Sequence, residues 1–162
     1  MPFYFPDTPD LPLPPGHRFP ATKYRLLREA AHAERLFDGV GLLASPLAAV
    51  DDLLRAHEAG YVRGVLAGTL SADAVRRIGI PWSPVLRQRS LATVGGAVAS
   101  ARAALRDGVS GQLAGGTHHA FSDRGEGYCV FNDIAVAARV IQRESRAARI
   151  AVVDGDVHQG NG

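Results

Sequence analysis

Four stretches of the chain carry apolar residues at helical spacing, and three shorter apolar runs read as strands. Leu26, Ala30, Ala33 and Phe37 recur at intervals of four, three and four, predicting a helix from Thr22. Leu47, Val50, Leu54 and His57 share a face of a second helix, with Ser45 as its cap, Pro46 at its first position and Gly60 as its stop. Leu91, Val94, Val98, Ala101 and Leu105 predict a third, ended by Gly108. A fourth carries Ile134, Ala138 and Ile141 behind the capping side chain of Asn132. The strands are Gly39 to Ala44, Gln112 to Ala114, and Ile150 to Val153, the last an all-apolar run of the kind buried inside a parallel sheet. The first 20 residues hold seven of the ten prolines, so they form an extended arm with a short edge strand at Phe3 to Phe5. Strand, loop, helix and strand alternate over the last third, which predicts an α/β fold with right-handed crossovers. With no repeat and no low-complexity linker, residues 1–162 read as one domain.

Composition narrows the function classes. With 46% hydrophobic and 21% charged residues, this is the balance of a folded chain. The net charge of +2 comes from scattered arginines, not a basic cluster, which argues against direct nucleic-acid binding. The apolar stretch without charge from Gly39 to Val50 is too short for a membrane span and is broken by Pro46. A single cysteine, Cys129, fits a reducing compartment, and no basic-then-apolar leader opens the chain, so the expected location is cytoplasmic.

Two polar clusters follow directly after predicted strands. The first is Gly115-Gly116-Thr117-His118-His119, and the second runs from Asp154 through Asp156 and His158 to Asn161 and Gly162. In an open parallel sheet both would face the crevice beyond the carboxyl ends of the strands. If the chain stays extended past Val153, residues 154, 156 and 158 point to one side. Two carboxylates and an imidazole together are costly without a cation, and this donor set suits Zn²⁺ with a position left for water. Beside such an ion, one histidine of the His118-His119 pair could move the proton of a water, and the other could stay charged to stabilise developing negative charge. Each needs a partner on its second nitrogen, and Asp154 and Asn161 are available. His17, His32 and His57 read as packing or surface residues, and Cys129 as a small buried wall residue.

Together the segments Gly115 to Ala120, Gly127-Tyr128-Cys129-Val130-Phe131-Asn132-Asp133 and Asp154 to Gly162 resemble the histone deacetylase superfamily. The stretch Leu13 to Pro20 with Lys23-Tyr24 is similar to its bacterial members, and Gln159-Gly160-Asn161 to its class IV branch. The resemblance implies a three-layer α/β fold of the arginase/deacetylase type with a mainly parallel sheet. It implies removal of acetyl or longer acyl groups from lysine side chains of a protein or peptide, or from acetylated polyamines. Zinc-bound water would attack the amide carbonyl. Asp156 and His158 would be two zinc ligands, His119 the general base and acid, and His118 the electrostatic imidazole paired with Asp154. Asp154, Asp156 and the His158 carbonyl would help hold a structural K⁺. Gly127 and Tyr128 would line a tunnel for the acyl-lysine stem, with Cys129 beside the zinc. Asn161 stands where many relatives have Asp, which should lower the basicity of His119.

The family's third zinc-binding Asp and its transition-state Tyr lie well downstream of this motif, so residues 1–162 are expected to be the N-terminal half of one catalytic domain. Two other functions fit less of the pattern. One is an inactive, truncated chain serving as a binding module. The other is a ureohydrolase-like binuclear metalloenzyme, which would need more bridging carboxylates than Asp154 and Asp156 supply.

Overall fold

A computed structural model describes all of residues 1–162. Strand β1 (Pro2–Phe5) opens the chain, helix α1 spans Lys23–Ala33 and β2 spans Gly41–Ala44. Helices α2 (Val50–Leu53), α3 (Ala59–Ala67), α4 (Ala72–Ile78) and the long α5 (Pro84–Asp107) follow, then β3 (Gly111–Gln112) and α6 (Asp133–Arg143). The three strands form an all-parallel sheet in the order β2-β1-β3. The fold is thus mixed α/β with a parallel sheet. No helix is long and apolar enough to cross a membrane.

The expected edge strand at Phe3 to Phe5 is instead the centre of the sheet, paired along Pro2–Phe5 with Gly41–Ala44 and along Phe3–Tyr4 with Gly111–Gln112. Proline is tolerated there because Pro2 is the first strand residue and Pro6 lies just past the last. The edge belongs to β2, which is largely exposed rather than buried. Because the chain leaves β1 for one side of the sheet and returns on the other, β1 and β3 flank a switch point at their carboxyl ends.

Capping fixes the ends of the helices, including α4, which the sequence reading did not predict, and the start of α5, which lies before the predicted Leu91. Ser83 Oγ accepts from Leu86 N at 3.0 Å with Pro84 in the first turn, and Gly108 (φ +91°) ends α5. Asn132 Oδ1 accepts from Ala135 N at 3.0 Å at the start of α6. Ser71 and Gly79 bracket α4 in the same way. The first helix stops at Ala33, since Arg35 takes a left-handed φ of +56°, and Phe37 instead packs on Phe3 with ring centroids 5.4 Å apart. Its Leu26 face is exposed.

The second predicted helix is replaced by two. Residues 45–49 run without helix across α5, where Ala48 N donates to Leu91 O at 3.0 Å. Gly95 and Gly96 make room for this crossing, because a Cβ at either position would overlap Pro46 O or Ser45 Oγ. Gly60 therefore lies inside α3 instead of ending a helix, and the buried residues are Leu53 and His57, not Leu47, Val50 and Leu54. The core joins Tyr61, Val62 and Val65 of α3 to Val94 and Val98 of α5 and to Val136 and Val140 of α6, with Phe131 among them. Ile150 to Val153 forms no strand. It pairs with no strand of the sheet, and Val153 is 95% exposed beside an apolar cleft between α5 and α6.

Candidate functional site

The loop after β3 is built on a buried carboxylate. Asp133, the first residue of α6, is 2% exposed. Its Oδ1 accepts from Thr117 N at 2.8 Å and from Thr117 Oγ at 2.5 Å, and its Oδ2 from Gly116 N and Gln112 Nε2, both at 3.2 Å. Thr117 Oγ in turn accepts from Asp133 N at 3.1 Å. Gly115 takes φ +101° to enter this arrangement, and a Cβ there would collide with Asp133 Oδ2. His118 and His119 leave the loop side by side, with ring centroids 4.3 Å apart.

Each imidazole is held through Nδ1. His118 Nδ1 donates to Asp154 Oδ2 at 2.7 Å and His119 Nδ1 to Asn161 Oδ1 at 2.7 Å, which leaves neither Nε2 with a hydrogen-bond partner in the chain. The backbone fastens the two clusters together, because Gly162 N donates to His118 O at 2.9 Å and Asn161 N to the same oxygen at 3.3 Å. The hydrogen bond from His118, reinforced by the Asp156 N–H, holds the Asp154 carboxyl below the usual carboxylate range.

Asp156 and His158 form the second element. Asp156 Oδ1 accepts from His158 N at 2.7 Å and faces His158 Nδ1 at 3.0 Å, contacts that lower the Asp156 pKa. The His158 ring stands 6.4 Å from that of His119. Two donors of a tetrahedral zinc with bonds of about 2.0 Å lie roughly 3.3 Å apart, so this oxygen and nitrogen have the type and spacing of two ligands. No third His, Cys, Asp or Glu side chain joins them. The residues present therefore fit two of the three protein positions of a catalytic zinc.

These groups line one cleft of about 460 Å³ with Gly127, Tyr128 and Cys129 on its wall and Lys23 at its margin. Gly127 (φ +54°) is pressed against the imidazole, since a Cβ would stand 2.8 Å from His119 Cδ2. Tyr128 adopts φ +68°, donates its N–H to Ile78 O at 2.7 Å and packs on Phe19 with ring centroids 5.2 Å apart. Burial pushes the Cys129 thiol up to about 11. Every candidate side chain named from the sequence thus reaches this cleft directly or through one hydrogen bond.

Sequence reasoning assigned no role to Asp133 or Thr117. An acidic residue at the start of a helix is ordinarily read as a dipole partner, and nothing in the sequence tells that it reaches back 16 residues to the histidine loop. His17 and His57 are structural. His57 Nδ1 donates to Phe121 O and its Nε2 accepts from Asn132 N, both at 2.9 Å, and His17 Nε2 donates to Gly79 O at 3.0 Å.

Comparison with known proteins gives one consistent picture. A family model described as a histone deacetylase domain matches residues 17–162. An uncharacterized protein of Picosynechococcus is 46% identical over 155 residues, covering 93% of this chain and 50% of the relative. A probable deacetylase of Methanothermobacter thermautotrophicus is 36% identical over 72% of this chain and 35% of its own length. The acetoin utilization protein AcuC of Staphylococcus aureus is 28% identical over 90% of this chain and 40% of its own. The chain spans half or less of the length of these relatives.

Proposed function

This chain belongs to the histone deacetylase family, and on that footing we propose that the protein containing it is a zinc-dependent amide hydrolase that removes acyl groups from lysine side chains or acetylated amines. The observation that carries this reading is the pair of adjacent imidazoles, each fixed through Nδ1 at 2.7 Å and each left with a free Nε2 facing the cleft that Asp156 and His158 line. Asp156 and His158 would hold zinc, and when bound the ion supplies Lewis acidity toward the amide carbonyl and toward a water. Asp154, Asp156 and the His158 carbonyl would hold K⁺.

The remaining chemistry belongs to the side chains. His119, backed by a neutral amide, accepts the proton of the attacking water at Nε2 and returns it to the leaving amine. His118, backed by the Asp154 carboxylate, is suited to carry a positive charge and to stabilise negative charge developing on the carbonyl oxygen. Gly127 and Tyr128 flank the acyl-lysine stem, and the absence of a side chain at 127 makes room for the His119 ring beside it. The protein acts in the cytoplasm on acylated lysine or polyamine substrates, without binding nucleic acid directly.

The test is the His119→Ala variant of the full protein, assayed on acetyl-lysine peptides and acetylated polyamines with metal content measured in parallel. Loss of a general base predicts a fall in turnover of about a hundred- to ten-thousandfold with zinc content unchanged. Unaltered turnover would refute the assignment. A fully folded, zinc-loaded wild-type protein with no amidase activity would favour the binding-module reading. A bridging two-metal site is the weaker alternative, because Asp154 is turned toward His118 while Asp156 faces His158.

A further inference from the structure

His57 and Tyr61 do not line the histidine cleft, yet they hold both chain segments that lead out of it. His57 lies between α2 and α3 and is 5% exposed, and Tyr61 follows four residues later in α3. One of the two segments is residues 120–122, directly after His118 and His119. The other is residues 130–133, which join the cleft wall at Gly127 to Cys129 to the start of α6.

The His57 ring bridges the two segments. Its Nδ1 donates to Phe121 O and its Nε2 accepts from Asn132 N, both at 2.9 Å, and only the neutral ring with its proton on Nδ1 can make both bonds. Asn132 repeats the bridge, since its Nδ2 donates to Ala120 O at 3.2 Å while its Oδ1 caps α6. Glu58 N adds a bond to Ser122 O at 2.8 Å, and the Tyr61 hydroxyl donates to Val130 O at 2.6 Å. The rings of His57, Tyr61 and Phe131 pack together with centroids 5.2, 5.8 and 6.0 Å apart.

A buried imidazole must have both nitrogens satisfied, but that need does not decide which groups satisfy them. Here they are the backbone two residues past His119 and the backbone beside Asp133. The Asp133 carboxylate accepts from Gly116 N and Thr117 N, just before the histidine pair. The pair is therefore pinned on both sides, by Asp133 ahead of it and by His57 and Asn132 behind it, and both anchors meet at the start of α6.

We propose that His57 is a positioning residue for His118 and His119. It ties the chain after the pair to α6, so that each imidazole meets its partner, Asp154 or Asn161, in a single orientation. His57 itself touches no substrate. The consequence for turnover rests on the hydrolase reading, whereas the placement of the two rings does not.

The experiment compares the full, zinc-loaded protein with its His57→Phe and His57→Asn variants, each labelled with ¹⁵N-histidine. The His118 and His119 ring signals are assigned by His118→Gln and His119→Gln, and urea unfolding shows that each variant is folded under the conditions used. In the wild type each ring should give one signal set with the proton on Nδ1. His57→Phe keeps a ring against Tyr61 and Phe131 but removes both hydrogen bonds. Its His118 and His119 signals should broaden or split, and kcat on acetyl-lysine peptides should fall about ten- to a hundredfold with KM unchanged. His57→Asn keeps a donor near the Nδ1 position for Phe121 O, so it should disturb the same signals less and recover part of kcat. If His57→Phe does not fold, His57→Asn carries the decision by itself. A folded variant that is less stable but keeps wild-type His118 and His119 signals would overturn the proposal. Disturbed signals in a protein whose wild type has no amidase activity would uphold the positioning role and count against the hydrolase reading instead.

Discussion

Replacing Asp133 with Asn tests whether one buried carboxylate holds the histidine loop in place. Oδ1 accepts from Thr117 N and Thr117 Oγ, and an amide oxygen can keep both bonds. Oδ2 accepts from Gly116 N and Gln112 Nε2, each at 3.2 Å, and an amide nitrogen there would meet two donors with a third. Hydrogen bonds to a charged acceptor contribute about 1.5–3 kcal/mol each. Gly116 is exposed, so water can replace part of its loss. The balance is a destabilisation of about 3 kcal/mol, a large fraction of the roughly 5–15 kcal/mol by which a domain is stable. Urea unfolding followed by the fluorescence of Trp82, whose indole N–H donates to Val65 O at 2.7 Å in the core, measures it directly. A lower midpoint at unchanged slope is expected. The coupling should be specific. In a double-mutant cycle, Thr117→Val should cost much less in the Asp133→Asn background than in the wild type, because the two side chains share one network. A variant within 0.5 kcal/mol of wild type, or strictly additive effects with Thr117→Val, would refute the reasoning.

Two further outcomes follow from burial. Desolvation holds His57 below its ordinary pKa of 6.5, so the folded state keeps it neutral while the unfolded chain takes up a proton. Stability should therefore be fully present above pH 6.5 and decline as the pH falls through the folded value, with a slope of at most about 1.4 kcal/mol per pH unit from this group. The difference between wild type and His57→Gln, measured by urea unfolding from pH 7.5 to 5, should show that slope, and parallel curves would contradict it. Cys129, with its thiol pushed up to about 11 by burial, should be alkylated by iodoacetamide at pH 7.5 at least tenfold more slowly than a free cysteine. Mass spectrometry of the time course checks this, and labelling at the free-thiol rate would show that the site wall is open to solvent.

The site was more legible in the sequence than the framework that carries it. Residue chemistry grouped His118, His119, Asp154, Asp156, His158 and Asn161, since an imidazole that must present one nitrogen needs a fixed partner on the other, while the pairing of His118 with Asp154 came from the resemblance to the family. The end of α5 and the start of α6 were readable for a similar reason, since Gly108 and Asn132 are signals that act locally, within a turn of the residues they control, whereas the predicted helix began at Leu91 and missed the first turns from Pro84. Where a signal had to compete with a distant contact, local reasoning failed. Ser45-Pro46 has the form of a helix start, yet the Gly95-Gly96 gap in α5, about 50 residues away, draws that segment across the helix instead. Ile150 to Val153 has the composition of a buried strand, but strand formation depends on a neighbour's ladder and not on the run itself. Position within a sheet is equally non-local, which is why a proline-rich opening segment could be its centre. The same distinction explains Asp133. Its own neighbourhood announces a helix start, and only the folded chain shows that the carboxylate is spent on the loop that aims the two histidines.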